Sequence, residues 1–426
     1  MSLLIKNGRI IDPSQSLDQV ADILVQDGKV TQIGEGLDDS NVEQVVDAQD
    51  MVVTPGLVDM HVQLREPGFE EDETIESGTA AALAGGFSTI ACIPNTDPPI
   101  DTQAGVEFVR QKASRARNCN VYVIAAVSKN REGEELAEMG MLVEAGAVGF
   151  SDACSPIHST DLFRRALEYS LMFDKPILNH PEVPELSQSG MMHDGSISNV
   201  LGIGGLHPDA EEVMTARDLR LAESTGGRLH LMDISTSGSV EIIRRAKGRG
   251  VRVTAECPIA NLILTDDTLR SFDSNYKVNP PLRSQQHVDS CLEGIRDGTI
   301  DVITSAHTPR ATEKKMTVLD RAPFGMVNLE TTLALVITKL VSTGELQWLN
   351  AIAALSTNPA QALGIKKGTL AVGADADITI IDPNISWIVD VTSFKSQSQN
   401  SPFNGEQLTG KARQVFISGE LRYELS

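Results

Sequence analysis

The sequence predicts an α/β protein: a (β/α)8 TIM barrel joined to a small β-sandwich that is built from both termini. Three observations predict it. Strand and helix patterns alternate through the middle of the chain, short strands with tight turns occupy both ends, and 426 residues with 34 glycines suit a barrel plus an accessory unit. A doubly wound open sheet is the alternative, but no Gly-x-Gly-x-x-Gly follows an early strand.

The middle of the chain carries the barrel pattern. Apolar runs with strand character are predicted at 57–64, 88–94, 120–127, 147–152, 176–181, 228–235, 252–258 and 301–307. Helical patterns separate them, for example at 102–116, 161–172, 210–224, 239–248 and 286–296. Eight such units over this length are the number that closes a (β/α)8 barrel. We therefore assign 56–364 to the barrel, whose metal-hydrolase type is implied by the motifs described below.

Both ends of the chain read as short strands. Asn7-Gly8 and Asp27-Gly28 follow apolar runs as hairpin signals, and Asp382-Pro383 closes a strand near the C-terminus. Neither end has enough strands to bury a sheet alone. We therefore predict that 1–55 and 365–426 pair into one composite β-sandwich.

The composition restricts the partners. Lys and Arg total 36 against 58 Asp and Glu, a formal charge of −22, which argues against binding to nucleic acid or an anionic membrane. No apolar run approaches the ~20 residues of a membrane span, and the N-terminus enters a strand pattern at once, so no signal peptide is expected. The five scattered cysteines indicate reduced thiols. The expected location is the cytoplasm.

Polar residues stand at the predicted carboxyl ends of the strands, where barrel active sites lie. His61 and Gln63 share one face of the first strand, because side chains alternate along a strand. A second imidazole at position 63 would open a zinc site, whereas Gln63 is a weak neutral ligand. His61, Asp152 and His180 together could hold one divalent ion, since catalytic zinc usually takes three protein ligands and a water. Asp233 could add a carboxylate.

Strand parity separates two candidates on the sixth strand. Leu229, Leu231 and Asp233 share one face, and His230 lies on the other. If Asp233 faces the barrel mouth, His230 is expected to point outward among the helices. Four other histidines lie in loops or helices without a partner at ligand spacing and are expected to be structural or solvent-exposed: His158, His193, His207 and His287.

Three residues are placed to bind an anionic ligand. Arg65 follows the first strand, Asn95 follows the second, and Asn279 lies in a loop after the seventh. An arginine can grip a carboxylate with two hydrogen bonds, and an asparagine side chain can read an amide. The structural alternative is that Arg65 forms an ion pair with Glu66 or another nearby acid.

These motifs together resemble the dihydroorotases of the amidohydrolase superfamily, in their long form. The resemblance covers nearly the whole chain. It is carried by residues 55–61, 64–68, 84–87, 94–99, 149–152, 277–283 and 358–383. The motifs most specific to the family are Leu64-Arg65-Glu66-Pro67-Gly68 and Val278-Asn279-Pro280-Pro281-Leu282-Arg283. Asp152 stands where dihydropyrimidinases and allantoinases have a carboxylated lysine.

The resemblance implies an activity and a set of site residues. Family members interconvert carbamoyl aspartate and dihydroorotate in pyrimidine synthesis, using zinc and an aspartate after the eighth strand. By position, His61, Asp152 and His180 match metal ligands, with Gln63 and Asp233 as further candidates. Residues matching those that contact the substrate are Arg65, Asn95, Asn279 and His307.

The departures from the family pattern fall where the chemistry is. Gln63 and Asp233 replace two expected histidines, and Ala306 replaces the aspartate that should both bind metal and shuttle the proton. A methyl group can do neither, which leaves His307 as the remaining candidate at that strand end. We therefore expect zinc to be absent or weakly bound.

Three hypotheses follow. The first is a non-catalytic dihydroorotase-like paralogue, similar to the group that associates with aspartate carbamoyltransferase, and a homo-oligomer. The second is an active dihydroorotase or related cyclic amidohydrolase with an altered metal centre. The third is a sensor that binds dihydroorotate or carbamoyl aspartate through Arg65, Asn95 and Asn279.

Overall fold

The computed structural model describes residues 2–40, 42–187 and 190–425. Its strands follow the chain as β1 Ser2–Asp12, β2 Leu17–Gln26, β3 Lys29–Gly34, β4 Gln44–Asp47, β5 Val52–Pro55, β6 Leu57–Val62, β7 Phe87–Cys92, β8 Asn120–Ala125, β9 Ala147–Ser151, β10 Ile177–Asn179, β11 Met192–His193, β12 Gly205–Leu206, β13 Leu229–Leu231, β14 Val253–Pro258, β15 Val302–Thr304, β16 Ile378–Ile388, β17 Gln407–Ile417 and β18 Glu420–Glu424.

The α-helices are α1 Ile75–Ala84, α2 Gln103–Ala116, α3 Met139–Ala145, α4 Thr160–Ser170, α5 Pro184–Ser187, α6 Ser196–Leu201, α7 Pro208–Thr225, α8 Ser237–Gly248, α9 Ile259–Ile263, α10 Gln285–Asp297, α11 Thr312–Lys315, α12 Thr332–Leu335, α13 Trp348–Ile352 and α14 Asn358–Leu363. Two π-helical stretches, Val336–Val341 and Ala353–Thr357, continue α12 and α13. No helix in the described part of the chain is long and apolar enough to cross a bilayer.

The barrel is a parallel sheet in the order β6-β7-β8-β9-β10-β13-β14-β15. A bridge between Val62 and His307 links the last strand position back to the first. All eight predicted strands are present, so the predicted fold class is confirmed. The strands carry apolar side chains on both faces: one set fills the interior, and the other packs under the helices.

Both ends of the chain contribute to one further sheet, in the order β18-β17-β16-β5-β1-β2-β3 with β4 paired to β1. Its own core includes Leu3, Ile23, Val53 and Phe416. The sheet passes directly into the barrel at Gly56, whose amide donates to Asp377 O at 2.7 Å. A Cβ at this glycine would lie 2.1 Å from Ser88 Oγ, so only glycine fits the junction.

The connection between β16 and β17 leaves the terminal sheet and reaches the barrel mouth. Ser398 Oγ donates to Asp72 O at 2.6 Å, and Asn400 Nδ2 donates to Thr308 O at 3.1 Å. Ser396, Ser398 and Asn400 are buried, although all three side chains are polar. This segment therefore packs against the loop that follows β15 and stabilises it.

Candidate active site

A cavity of about 350 Å³ opens at the carboxyl ends of the barrel strands. Its wall combines the strand-end polar residues with the loops that follow β14 and β15: His61, Gln63, Cys154, Asp233, Pro258, Ala260, Asn261, Val278, Asn279, Pro280, Ala306, Thr308, Arg310, Pro323, Phe324, Gly325, Met326 and Asn328. A pocket at this end of a barrel is where catalytic sites form. The four histidines expected to be structural, at 158, 193, 207 and 287, do not line it.

The end of β6 positions the first two candidates. Asp59 accepts a hydrogen bond from the His61 amide at 3.0 Å and another from the Ser305 amide at 3.1 Å, which ties the first strand to the eighth. Burial raises the pKa of Asp59 to about 6, against these two hydrogen bonds. His61 and Gln63 both reach the cavity, as strand alternation predicts.

Two histidines share the carboxylate of Asp233; His61 and Asp233 line the cavity, whereas His180 does not. His180 Nδ1 lies 2.9 Å from Asp233 Oδ2, and His61 Nδ1 lies 3.4 Å from Asp233 Oδ1. All three side chains are about 2% exposed. Burial alone would lower the pKa of each imidazole, but the carboxylates around it prevail and hold it well above its ordinary value. The cluster is therefore a network of buried ion pairs.

Glu256 is a site residue that the sequence analysis missed. His61 Nδ1 lies 2.6 Å from Glu256 Oε1, and His230 Nε2 lies 3.0 Å from Glu256 Oε2. The ligand atoms of His61, Asp233 and Glu256 all lie within 4.8 Å of one another. A glutamate inside the apolar run 252–258 was the available signal, because buried acids are rare unless paired.

The predicted parity of the sixth strand is wrong. His230 pairs in register with Leu178, a residue of the barrel interior, and its ring meets Glu256 there, whereas Leu229 and Leu231 pack with the helices. Asp233 reaches the mouth for another reason: β13 ends at Leu231, and Asp233 has a left-handed backbone with φ 55°. Alternation holds only inside a strand, so counting by twos past its end assigned the wrong face.

Asp152 does not join the histidines in this structure. One carboxylate oxygen, Oδ1, accepts hydrogen bonds from the amides of Val127 and Ser128 at 2.9 and 3.1 Å, and Oδ2 accepts one from the Ser128 hydroxyl. The carboxylate thus holds the loop after β8. Asp233 and Glu256 supply the acids beside His61 that the sequence analysis assigned to Asp152 and Asp233.

The Gln63 amide is occupied by its neighbours. Its Nε2 donates to Thr308 Oγ1 at 2.9 Å, and its Oε1 accepts from Arg65 at 3.3 Å. An amide oxygen bonded to a guanidinium is a poorer ligand still, because its electron density is already shared.

The three residues predicted to bind an anion do not all lie in the cavity. Arg65 lies over the Phe69 ring at 4.3 Å and pairs with Asp72 at 3.3 Å, so the structural alternative describes its contacts. Neither Arg65 nor Asn95 lines the cavity, whereas Asn279 does and donates to Glu182 at 2.8 Å. The oxygens Asn95 Oδ1 and Asn279 Oδ1 have no hydrogen-bond partner among the described residues.

The end of β15 carries the most consequential substitution. Ala306 lines the cavity with a left-handed backbone, φ 48°, and offers only its methyl group. His307 is buried outside the cavity wall, 3.3 Å from Glu73 Oε2. Arg310, which the sequence analysis did not propose as a site residue, lines the cavity and donates to Phe324 O at 3.0 Å.

These side chains do not fit a catalytic zinc centre. Zinc needs neutral imidazoles and free lone pairs. Here both imidazoles face carboxylates, Glu256 is bonded on both oxygens, and Gln63 and Ala306 supply no strong donor. Asp233 Oδ1 accepts no hydrogen bond among the described residues, and it faces His61 Nδ1 at 3.4 Å.

A (β/α)8 barrel with histidines and carboxylates gathered at its C-terminal mouth defines a barrel hydrolase architecture. The chain belongs to the amidohydrolase family, because the model of that family, described as Amidohydrolase family, matches residues 52–422.

Known proteins of similar sequence cover nearly the full length. A protein named Dihydroorotase from Pelotomaculum thermopropionicum is 48% identical over 421 residues, covering 99% of this chain and 98% of that protein. One named Putative dihydroorotase from Rhodopirellula baltica is 47% identical over 423 residues, covering 99% and 93%. Among solved structures, an L-hydantoinase (dihydropyrimidinase) from Arthrobacter aurescens superposes with a TM-score of 0.90 at 27% identity, covering 99% of this chain and 96% of that one.

Proposed function

We propose that this chain is a dihydroorotase-like protein of pyrimidine biosynthesis whose metal site has degraded, so that hydrolysis is absent or very weak. The observation that carries this proposal is Ala306: a methyl group lines the cavity where the family places its proton-shuttling aspartate. The neighbouring acids do not take over, because Asp233 and Glu256 are bound to imidazoles.

The expected loss is large because two contributions fail together. A metal brings the pKa of its bound water from 15.7 down to ~7, which creates the nucleophile at neutral pH. A positioned acid or base typically adds a further ~10²–10⁴-fold. A site that lacks two of the family's histidines and its proton-shuttling aspartate retains neither contribution.

Metal analysis and turnover test the proposal on the same purified, untagged protein. We expect well below one zinc per chain after dialysis against buffer containing zinc, and no ring opening of dihydroorotate above background. A working dihydroorotase in parallel shows that the assay functions. Stoichiometric zinc together with brisk, chelator-sensitive ring opening would overturn the proposal.

We also propose aspartate carbamoyltransferase as the partner, and that the chain forms a homo-oligomer. The support is the resemblance to non-catalytic paralogues, together with a complete barrel that has lost its catalytic groups. The formal charge of −22 favours a partner with a basic surface.

Co-elution tests this partnership. The two purified proteins should elute together in size-exclusion chromatography at low salt and separate more readily at 1 M salt, where charges more than ~3 Å apart are screened. Bovine serum albumin in place of the transferase controls for nonspecific association. Independent elution at every salt concentration would contradict the partnership.

One observation favours a second candidate, an active cyclic amidohydrolase with an altered metal centre. His61, Asp233 and Glu256 bring three donor atoms within 4.8 Å, and an oxygen-rich set suits manganese as well as zinc. Under this alternative, dihydroorotate turnover appears on adding Mn²⁺ or Zn²⁺ and disappears in His180→Ala. Without such turnover the first proposal stands.

A further inference from the structure

A second cavity lies at the end of the barrel opposite the candidate active site. It has a volume of about 400 Å³ and lies between α2, the start of β8 and the strands β17 and β18 of the terminal sheet. Asn120, the first residue of β8, lines it, whereas the candidate active site opens at the carboxyl ends of the barrel strands. No described residue lines both cavities. We call the second cavity the arginine pocket.

The arginine pocket concentrates positive charge in a chain that is acidic overall. Arg110, Arg117 and Arg422 line it, and no Asp or Glu is among its described lining residues. The whole chain carries 58 acidic against 36 basic residues, so carboxylates would be the more common charged groups in an arbitrary stretch of surface. Three guanidinium groups around one cavity repel one another unless a negative charge lies among them. The wall is therefore complementary to an anion.

The fold brings the three arginines together from two parts of the chain. Arg110, Ser114 and Arg117 follow one another at helical spacing and share one face of α2 and its C-cap. Arg422 approaches from β18, and its Nη1 donates to Arg117 O at 3.2 Å. Arg110 Nη1 donates to Ala145 O at 2.6 Å. These two backbone contacts fix the positions of Arg110 and Arg422 at the pocket.

Most N–H donors of these arginines are not used by the described residues. A guanidinium carries five N–H groups. Arg422 Nη2 pairs with Glu420 at 2.7 Å, but its Nε is buried and has no hydrogen-bond partner among the described residues. The Arg117 side chain makes no hydrogen bond or ion pair in the described part of the chain. Because buried N–H groups are normally paired, the oxygens of an anion would complete this site.

We propose that the arginine pocket binds the phosphate group of a small molecule. A phosphate monoester offers three acceptor oxygens and about 1.5 to 2 negative charges at pH 7. Guanidinium groups bind phosphate through paired hydrogen bonds, which suits a wall built from arginine. The C-terminus of α2 also meets the pocket, but it contributes only about half a negative charge, which three guanidiniums exceed.

The size of the arginine pocket favours a phosphate that is attached to an organic group. A volume of about 400 Å³ lies in the range of pockets for small organic ligands. Val121 and Ile417 in the same wall supply apolar contacts for a sugar or a base. This site does not depend on the proposed function, because its residues are separate from those of the candidate active site.

Calorimetry with defined probes tests the site. The full-length protein is titrated at pH 7 and physiological salt with ribose 5-phosphate, inorganic phosphate, ribose and malonate. We expect saturable binding of one ribose 5-phosphate per chain, no heat with ribose, and weaker binding of malonate, a dianion without phosphate. Tighter binding of ribose 5-phosphate than of inorganic phosphate assigns the site to an organic phosphate, and equal affinities assign it to the free ion.

A pair of arginine variants separates this site from general attraction by charge. Arg117→Gln is expected to weaken ribose 5-phosphate binding by about tenfold or more, the usual effect of losing hydrogen bonds to a charged group. Arg115→Gln removes the same charge from the same helix end, but Arg115 is exposed, does not line the pocket and lies about 140° around the helix axis from Arg110. We expect its affinity to stay within about twofold of wild type, since it loses no contact to the ligand.

Unchanged melting temperatures, followed by circular dichroism, show that both variants are folded. Three results would each overturn the inference: no saturable heat with either phosphate compound at millimolar concentration, malonate binding as tight as ribose 5-phosphate binding, or equal losses of affinity in Arg117→Gln and Arg115→Gln. None of these results bears on zinc content or dihydroorotate turnover, so the proposed function is tested separately.

Discussion

Replacing Asp233 with alanine is expected to lower the free energy of unfolding by about 3–5 kcal/mol, the usual cost of removing one partner from a buried ion pair. Asp233 lies 3.4 Å from His61 and 2.9 Å from His180, and all three side chains are about 2% exposed. Without it, the one carboxylate paired with His180 among the described residues is Glu182, at 3.4 Å. Urea denaturation at pH 7, followed by circular dichroism, measures the change.

An exposed pair of the same chemistry provides the control. His207 and Asp209 lie 3.5 Å apart, with side chains 48% and 60% exposed. Solvent screens such pairs, so Asp209→Ala should cost less than about 1 kcal/mol. If Asp233→Ala unfolds at the wild-type urea concentration, the two imidazoles are uncharged and the described ion-pair network is incorrect.

Restoring the family residues together is expected to restore zinc. The triple variant Gln63→His, Asp233→His and Ala306→Asp should bind about one zinc per chain, because His61 and the three replaced positions all line the same cavity. Positions 233 and 306 have φ of 55° and 48°, where aspartate and histidine occur more readily than most side chains. Elemental analysis and calorimetry with Zn²⁺ measure the gain.

A variant with asparagine at 306 tests proton transfer, with its zinc content measured by the same elemental analysis. Asparagine has the shape of aspartate but cannot shuttle a proton. Any dihydroorotate hydrolysis gained by the triple variant should therefore fall by ~10²-fold or more with Ala306→Asn in place of Ala306→Asp. If the triple variant remains metal-free, the alignment of strand ends with the family motifs is mistaken.

The local pattern of apolar and turn residues was sufficient to predict the architecture. Each barrel strand is a short apolar run bounded by turn residues. The hydrophobic pattern and the turn signals therefore predicted each strand without knowledge of the strand it pairs with. The paired termini also followed from the chain itself, because neither end has enough strands to form a sheet alone. His61, Gln63 and Ala306 were placed in one cavity because barrel strands end at one face.

The details of the site depended on backbone geometry that alternation does not record. Arg65, Asp233 and Ala306 all have left-handed backbones, with φ of 60°, 55° and 48°. Asp233 lies beyond the end of β13, so the local backbone and not strand alternation places its side chain beside His180. Within β13 alternation does hold, and it places His230 rather than Leu229 inside the barrel.

The sequence by itself determined the barrel, the composite sheet and the alanine at position 306, because these depend on which residues follow one another. Only the tertiary structure decided that Glu256 holds His61, that Asp152 supports a neighbouring loop, and that Cys154 lines the same cavity as His61. Those contacts join residues on different strands of a closed barrel. Their geometry exists only once the last strand has met the first.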